Sequence, residues 1–182
     1  MTKRCAARIL DEYLVASARV GDRKALAMLV ERWNGKLIAH AWRLTGDPEG
    51  ARDAAQAAWI DIVRGLRRLE DERAFPAWAY RIVSRRCAGQ IHSAVRGREL
   101  ERSLSEIPEP DSSIPDDPIE RLRLRRAIAA LPADQRSAIA LFYLEEMSVA
   151  EVAVALGVPA GTVKTRLMHA RHKLRAALEG DE

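Results

Sequence analysis

The sequence predicts an all-α fold made of two small helical domains. Apolar residues recur at the three- and four-residue spacing of a buried helix face, most clearly between residues 26 and 37. Strand-like alternation of apolar and polar residues is absent over any useful length. Half of the eight prolines fall in one acidic stretch between two basic blocks. We therefore predict domains at residues 1–98 and 121–182, joined by a proline- and acid-rich linker at 99–120.

Composition narrows the class of protein. The 182 residues are 48% apolar and 31% charged, which favours packed domains over wholesale disorder. The sequence contains no apolar run long enough for a membrane span and no visible secretory signal, so we expect a cytoplasmic protein without membrane insertion. The only cysteines, Cys5 and Cys87, exclude a disulfide scaffold and a four-cysteine zinc site. Whether either thiol is redox-active stays open.

Common catalytic and cofactor-binding motifs are also missing. The sequence lacks the glycine-rich nucleotide-binding motifs, the serine-hydrolase elbow and the zinc-protease motif. His169 and His172 are three residues apart and could share a metal ion, but no third ligand is evident. We therefore expect no metal, no cofactor and no enzymatic activity.

Charge is distributed in three blocks. Residues 1–98 carry a net charge of +8, residues 99–120 carry −7 and residues 121–182 carry +3. Two basic blocks indicate a polyanionic partner such as nucleic acid. Solvated helix faces are the alternative interpretation.

Turn and capping residues divide the first block into helices. Gly21 and Asp22 provide a break and an N-cap before the apolar stripe. Pro48 suits the first turn of the next helix. A polar segment at 69–73 then precedes a helix at about 74–95.

The second block predicts a four-helix domain. After a first helix, a second spans about 135–144. Ser148 and Glu151 have the spacing of a capping box at the start of the third helix. Gly157 permits a left-handed turn before a fourth helix that starts near residue 160. Two helices joined in this way form a helix-turn-helix, whose second helix fits the DNA major groove.

Both halves resemble one known family. Residues 131–178, beginning LPADQRSAIALFYLEEMSVAEVAVALG, resemble region 4 of bacterial sigma factors of the extracytoplasmic-function class in the sigma-70 family. The leading half resembles region 2 of the same family through DEYLVASARVGDRKALAMLVERW and AFPAWAYRI. The resemblance implies a promoter-specificity subunit that joins core RNA polymerase. A helix-turn-helix regulator that does not join the polymerase is the alternative.

For the second domain, the resemblance implies contacts with the promoter −35 element and with the flap region of the polymerase's second-largest subunit. The implied base contacts are Lys164, Thr165, Met168 and His169, and the implied phosphate contacts are Thr162, Arg166 and Arg171. Phe142 stands where relatives often have arginine, and Glu146 replaces a common glycine.

For the first domain, the resemblance implies capture of the melted −10 strand by the loop at 69–74 and the helix after it. Aromatic rings and guanidinium groups stack on unpaired bases, and no acid occurs between Arg73 and Arg98. The implied contacts are Arg73, Phe75, Tyr80, Arg81, Arg85 and Arg86. Packing within the protein is the alternative for Phe75 and Tyr80, and we predict core positions for Trp78 and Ile82.

The resemblance also implies protein partners. The helix at 49–66 matches the surface that binds the clamp coiled coil of the largest polymerase subunit, with Asp53, Gln56 and Asp61 as contacts. Arg52 and Ala57 occupy places where the family usually has acids, and Gly89 stands where relatives often have aspartate. An anti-sigma factor that covers the two domains is a further implied partner.

Overall fold

Eight α-helices make up the parts of the chain that the computed structural model describes, residues 3–94 and 118–179. They form two compact units that divide between residues 109 and 110. The first unit contains α1 (Lys3–Arg19), α2 (Arg23–Thr45), α3 (Pro48–Gly65) and α4 (Phe75–Ala94). The second contains α5 (Pro118–Ala129), α6 (Ala133–Ile139), α7 (Val149–Leu156) and α8 (Ala160–Glu179). The described residues contain no strand, which confirms the all-α prediction.

Helix α5 begins at Pro118, within the last residues of the stretch assigned to the linker, where proline suits the first turn of a helix. Most of the predicted linker lies outside the described residues.

Capping side chains set the starts of α2 and α3, and the cap at Asp22 is the one that the sequence predicts. The Asp22 carboxylate accepts hydrogen bonds from the backbone N–H groups of Lys24 and Ala25, at 2.8 and 3.2 Å. Asp47 caps α3 in the same way, with Pro48 in the first turn. These bonds satisfy donors that have no partner within the helix.

The core of the first unit is an aromatic cluster between α2 and α4. Phe75 and Tyr80 are fully buried, and the Trp33 ring meets them at centroid distances of 5.1 and 5.7 Å. The Trp33–Phe75 pair is edge-to-face, which aromatic quadrupoles favour. Fully buried alanines on α3, such as Ala54 and Ala58, allow this helix to approach its neighbours closely.

A buried histidine borders this cluster. The His40 ring is fully buried, its Nε2 lies 3.0 Å from the Ser84 hydroxyl, and its centroid lies 5.0 Å from that of Tyr80. Burial, and second the positive charge of Arg43, lower the pKa of His40 from 6.5 to about 3. His40 is therefore neutral at physiological pH.

Acidification is expected to weaken the first unit through His40. The unfolded histidine binds a proton below its pKa of 6.5, whereas the folded one does so only near pH 3. The stabilising contribution is complete above pH 6.5 and is lost as the pH falls towards 3. Between about pH 7.5 and about pH 5.5 we expect the free energy of unfolding to fall by about 1.4 kcal/mol. Urea unfolding followed by tryptophan fluorescence measures it, since all four tryptophans lie in the first unit.

The control is His40→Gln, which keeps a polar group near Ser84 but does not titrate. The variant should lose this part of the pH dependence while other groups contribute as before. An identical pH dependence in both proteins would show that His40 is protonated equally in the folded and unfolded states.

Cys87 is a core residue of α4. It is 1% exposed, and burial raises the pKa of its thiol to about 11. Because the thiolate is the reactive form, a protonated buried thiol is unsuited to redox sensing. The side chain of Cys5 lies outside the described residues.

Helix α1 fixes the loop between α3 and α4. It packs against α2 and against the two 3-10 turns of that loop, Leu66–Arg68 and Glu72–Ala74. Arg19 of α1 forms an ion pair with Glu72. The loop is therefore attached to the helical core at its second turn.

In the second unit, α8 packs against α5, α6 and α7. The predicted capping box is present: the Ser148 N–H donates to the Glu151 carboxylate at 2.7 Å, and the Glu151 N–H donates to the Ser148 hydroxyl at 3.2 Å. Gly157 has a φ of 68°, the left-handed conformation that the sequence predicts before α8. The helix-turn-helix prediction is confirmed.

The helix predicted at 135–144 has a different ending. Helix α6 stops at Ile139, and the next five residues form a π-helical turn, Ala140–Leu144. Glu146 follows with a φ of 52°, the only positive φ of a non-glycine residue in the described ranges. A side chain disfavours this backbone conformation, which agrees with the glycine that the family resemblance implies at this position.

Glu146→Gly is expected to stabilise the second unit by about 0.5–1 kcal/mol, because it relieves backbone strain at the positive φ. Amide hydrogen exchange of α7 and α8 reports the change. Glu145→Gly is the matched control, since Glu145 has a φ of −94°, where glycine relieves no backbone strain and adds freedom to the unfolded chain. It should destabilise the unit, and equal effects of the two substitutions would contradict the strain argument.

Candidate nucleic-acid interface

Helix α8 separates a buried face from an exposed cationic face. Val163, Leu167 and Ala170 are buried against the other helices of the second unit. Most of the predicted −35 contacts lie on the exposed side of α8: Lys164, Thr165, Met168, His169 and Arg171. The outer face of the second helix of the helix-turn-helix thus carries the side chains assigned to DNA.

Two predicted −35 residues are less accessible. Arg166 is 25% exposed, and its Nε lies 3.2 Å from the Asp134 carboxylate of α6. Thr162 is half-buried in the first turn of α8. The Arg166–Asp134 pair joins α8 to α6, so Arg166 stabilises the orientation of the helix-turn-helix.

The loop between α3 and α4 presents Arg73. This side chain is 74% exposed, and its Nε lies 3.1 Å from the Asp71 carboxylate. Asp71 also accepts the Arg73 backbone N–H at 3.0 Å. The hydrogen bond from the Arg73 side chain is the main reason why the pKa of Asp71 is lowered.

A groove between α3 and α4 holds two of the other predicted −10 arginines, Arg85 and Arg86, which are exposed. The third, Arg81, is half-buried on α4 and is not part of the groove lining. The groove has a cavity of about 580 Å³ lined by Asp61, Trp78, Ile82, Arg85 and Arg86. A ring, an aliphatic side chain and two guanidinium groups together suit an unpaired nucleotide.

Trp78 reaches this groove because α3 ends in a glycine. A Cβ atom at Gly65 would lie 2.8 Å from the Trp78 ring, so only glycine admits the ring in its present position. Trp78 is half-buried and Ile82 is 9% exposed. Ile82 is therefore a core residue as predicted, whereas Trp78 is shared between the core and the groove.

Phe75 and Tyr80 lie in the core. The family resemblance implied base contacts for both, with packing within the protein as the alternative; neither ring is exposed, and both pack on Trp33. The physical reason is that α4 turns these positions towards α2, where rings of this size fill the core. In this conformation they support α4 and do not reach a base.

The residues assigned to the polymerase lie on two different sides of α3. Asp53 and Gln56 are exposed and share a helix face with Ile60 and Val63, which are 50% and 45% exposed. Asp61 instead faces α4, where its carboxylate accepts a hydrogen bond from Arg86 Nε at 2.7 Å. The exposed stripe therefore includes only two of the three predicted contacts.

Some positioning residues were missed at the level of sequence. Glu72 holds the loop to α1, and Asp134 holds α8 to α6. No sequence signal links such partners, because each pair joins separate helices or turns. Only Asp71, two residues before Arg73, could have been found from local spacing.

Within the described ranges, no group of three or more histidine, cysteine, aspartate or glutamate side chains could hold a metal ion. None of the helices in residues 3–94 and 118–179 combines the length and apolar character needed to cross a membrane.

Two protein-family models match the chain, one in each half. Residues 29–96 match the model of Sigma-70 region 2, and residues 121–174 match that of Sigma-70, region 4. The chain is 30% identical to the RNA polymerase sigma-H factor of Pseudomonas aeruginosa, over 93% of this chain and 94% of that protein. It is also 30% identical to the ECF RNA polymerase sigma factor SigW of Bacillus subtilis, over 90% and 94% of the two chains.

Solved structures show the same fold. CnrH, in complex with the cytosolic domain of CnrY, is similar with a TM-score of 0.62 and 27% identity, over 95% of this chain and 99% of that one. The sigma factor RpoE of Bartonella quintana, in complex with the anti-sigma factor NepR, has a TM-score of 0.69 and 24% identity, over 87% and 99% of the two chains.

Proposed function

The chain belongs to the ECF RNA polymerase sigma factors of the sigma-70 family, and from this premise we propose that it joins core RNA polymerase and directs it to specific promoters. Sigma factors are transcription initiation factors, and we assign no catalytic step to this chain. The observation that carries the proposal is an exposed cationic surface on each unit, in a chain that matches its relatives over nearly its full length.

The second unit would read the −35 duplex through α8. Lys164, Thr165, Met168 and His169 are exposed in the first half of this helix, from which side chains can reach base edges in the major groove. Arg171 lies on the exposed side for a phosphate contact, with its Nε 3.3 Å from the Leu167 carbonyl. Thr162 and Arg166 would contact the nearest phosphates. Arg166 also stabilises the helix through its ion pair with Asp134.

The first unit would hold the non-template strand of the melted −10 element. Arg73 is an exposed cation on the loop. Arg85 is an exposed cation in the groove, which it lines together with the half-buried Trp78 ring. Arg81 and Arg86 extend this basic surface along α4. Stacking of one base on such a ring contributes about 1–3 kcal/mol, which offsets much of the cost of opening a base step.

The exposed stripe of α3 would bind the polymerase. Asp53 and Gln56 provide polar contacts, and Ile60 and Val63 provide exposed apolar area beside them. A mixed surface of this kind suits a helical partner such as the clamp coiled coil of the largest subunit. We also propose contact of the second unit with the flap region of the second-largest subunit, and action in the cytoplasm, where the polymerase works.

An anti-sigma factor is the proposed regulator. The similar structure of CnrH contains the cytosolic domain of CnrY, which shows that this sigma-like fold accommodates a protein partner. Such a partner would prevent access of the polymerase or the promoter to the two units.

Transcription with purified components tests the proposal. Core polymerase and the full-length chain would be combined on a randomised promoter library, and the run-off products sequenced. We expect the chain to bind core polymerase and to enrich promoters with shared −35 and −10 sequences. Sequence-specific DNA binding without core association or redirected initiation would instead identify the alternative, a helix-turn-helix regulator that does not join the polymerase.

A further inference from the structure

We propose that Asp61 is an intramolecular counter-ion for Arg86, which holds this guanidinium in the unbound protein and releases it when a phosphate of the −10 strand enters the groove between α3 and α4. The inference rests on the proposed function, because it requires the strand to reach α4. It gives Asp61 a role in setting DNA affinity in place of the polymerase contact implied by the family resemblance.

The position of Asp61 on α3 separates it from the polymerase stripe. At 3.6 residues per turn, Asp61 lies about 80° around the helix axis from Asp53. Its carboxylate is turned to α4, where Oδ2 accepts Arg86 Nε at 2.7 Å and also contacts Arg86 Nη2. One carboxylate oxygen of Asp61 thus contacts both nitrogens, Nε and Nη2, on one edge of the Arg86 guanidinium.

The pair lies within the proposed strand-binding groove. Asp61 and Arg86 line the cavity together with Trp78, Ile82 and Arg85. Among the ionised side chains of this lining, two arginines face one aspartate, so Asp61 halves the positive charge that a strand would meet. A phosphate presents oxygens that the same guanidinium edge can bind, so the phosphate and Asp61 compete for one donor group.

Exposure makes the competition reversible. The Arg86 and Asp61 side chains are 43% and 34% exposed, so water and salt reach both partners. Ion pairs with this exposure change an equilibrium constant, such as that of folding or binding, by only about 1.5- to 5-fold. A strand phosphate can therefore replace Asp61, and the expected effect of removing Asp61 has the same size.

A double-mutant cycle tests the proposal in the assembled holoenzyme. Core polymerase with the full-length chain would bind a fluorescent promoter fragment, taken from the run-off library, whose −10 region is already unpaired. We expect Asp61→Asn to tighten binding about 2- to 5-fold at low salt, and less at high salt. Arg86→Gln should weaken binding. With Arg86→Gln present, Asp61→Asn should change affinity by less than about 1.5-fold, because the competition no longer exists.

Glu31→Gln is the matched control. It removes one negative charge from the exposed surface of the same unit without touching Arg86. The proposal is wrong if Asp61→Asn tightens binding no more than this control, or if its gain persists without Arg86. It is also wrong if Asp61→Asn weakens the association of the chain with core polymerase, which would make Asp61 a polymerase contact. Failure of the unaltered chain to bind core polymerase would instead remove the proposed function itself.

Discussion

Lys164→Gln is expected to weaken binding of the holoenzyme to its promoter by roughly 5- to 150-fold, which corresponds to about 1–3 kcal/mol for one base contact. Lys164 is exposed in the second turn of α8, about 100° around the helix axis from the buried Val163. The loss should depend on the sequence of the −35 element, because the contact proposed for this lysine is with base edges. Binding of promoter fragments with each −35 base changed in turn measures it.

Two further variants sharpen this test. Arg171→Gln removes a proposed phosphate contact, so it should weaken binding to all −35 sequences alike and reduce the slope of log affinity against log salt by about 0.9. Lys173→Gln removes the same charge from a side of α8 about 180° from Lys164 and should have little effect. Equal losses for Lys164→Gln and Lys173→Gln would mean that α8 contributes only overall charge.

Phe75→Ala is expected to destabilise the first unit by about 3–5 kcal/mol, because it opens a cavity beside Trp33 in the aromatic core. Urea unfolding followed by tryptophan fluorescence measures the loss. Tyr13→Ala is the control, since Tyr13 is 65% exposed and its removal should cost less than about 0.5 kcal/mol. A Phe75→Ala protein of full stability that fails to open promoters would restore the base-contact role that the fold argues against.

Local signals were enough to predict much of the fold. Asp22, Ser148, Glu151 and Gly157 act within three or four residues of their own positions, through a cap, a capping box and a left-handed turn. Their effects do not depend on distant parts of the chain, so the starts of α2 and α7 and the helix-turn-helix follow from sequence. The cationic outer face of α8 follows in the same way from helical periodicity.

Features that depend on packing between helices were not predictable. Phe75 and Tyr80 stand beside a basic loop in sequence, which favours base stacking, but the placement of α2 decides that they are buried. The Asp61–Arg86 pair spans 25 residues and requires α3 and α4 to be aligned along their lengths. Hydrophobic periodicity assigns a side chain to a helix face and does not determine which neighbour that face meets. The roles of these residues therefore emerged only with the structure.

The absence of a side chain at Gly65 has a consequence for how promoter preference can change. Any larger residue there would displace the Trp78 ring, because even a methyl carbon would lie 2.8 Å from it. The ring borders the groove. A substitution at Gly65 removes no charge and touches no DNA, but it would still alter the shape of the groove proposed to bind an extruded base. Selections for variants with new promoter specificity should thus yield changes at the end of α3 as well as among the arginines.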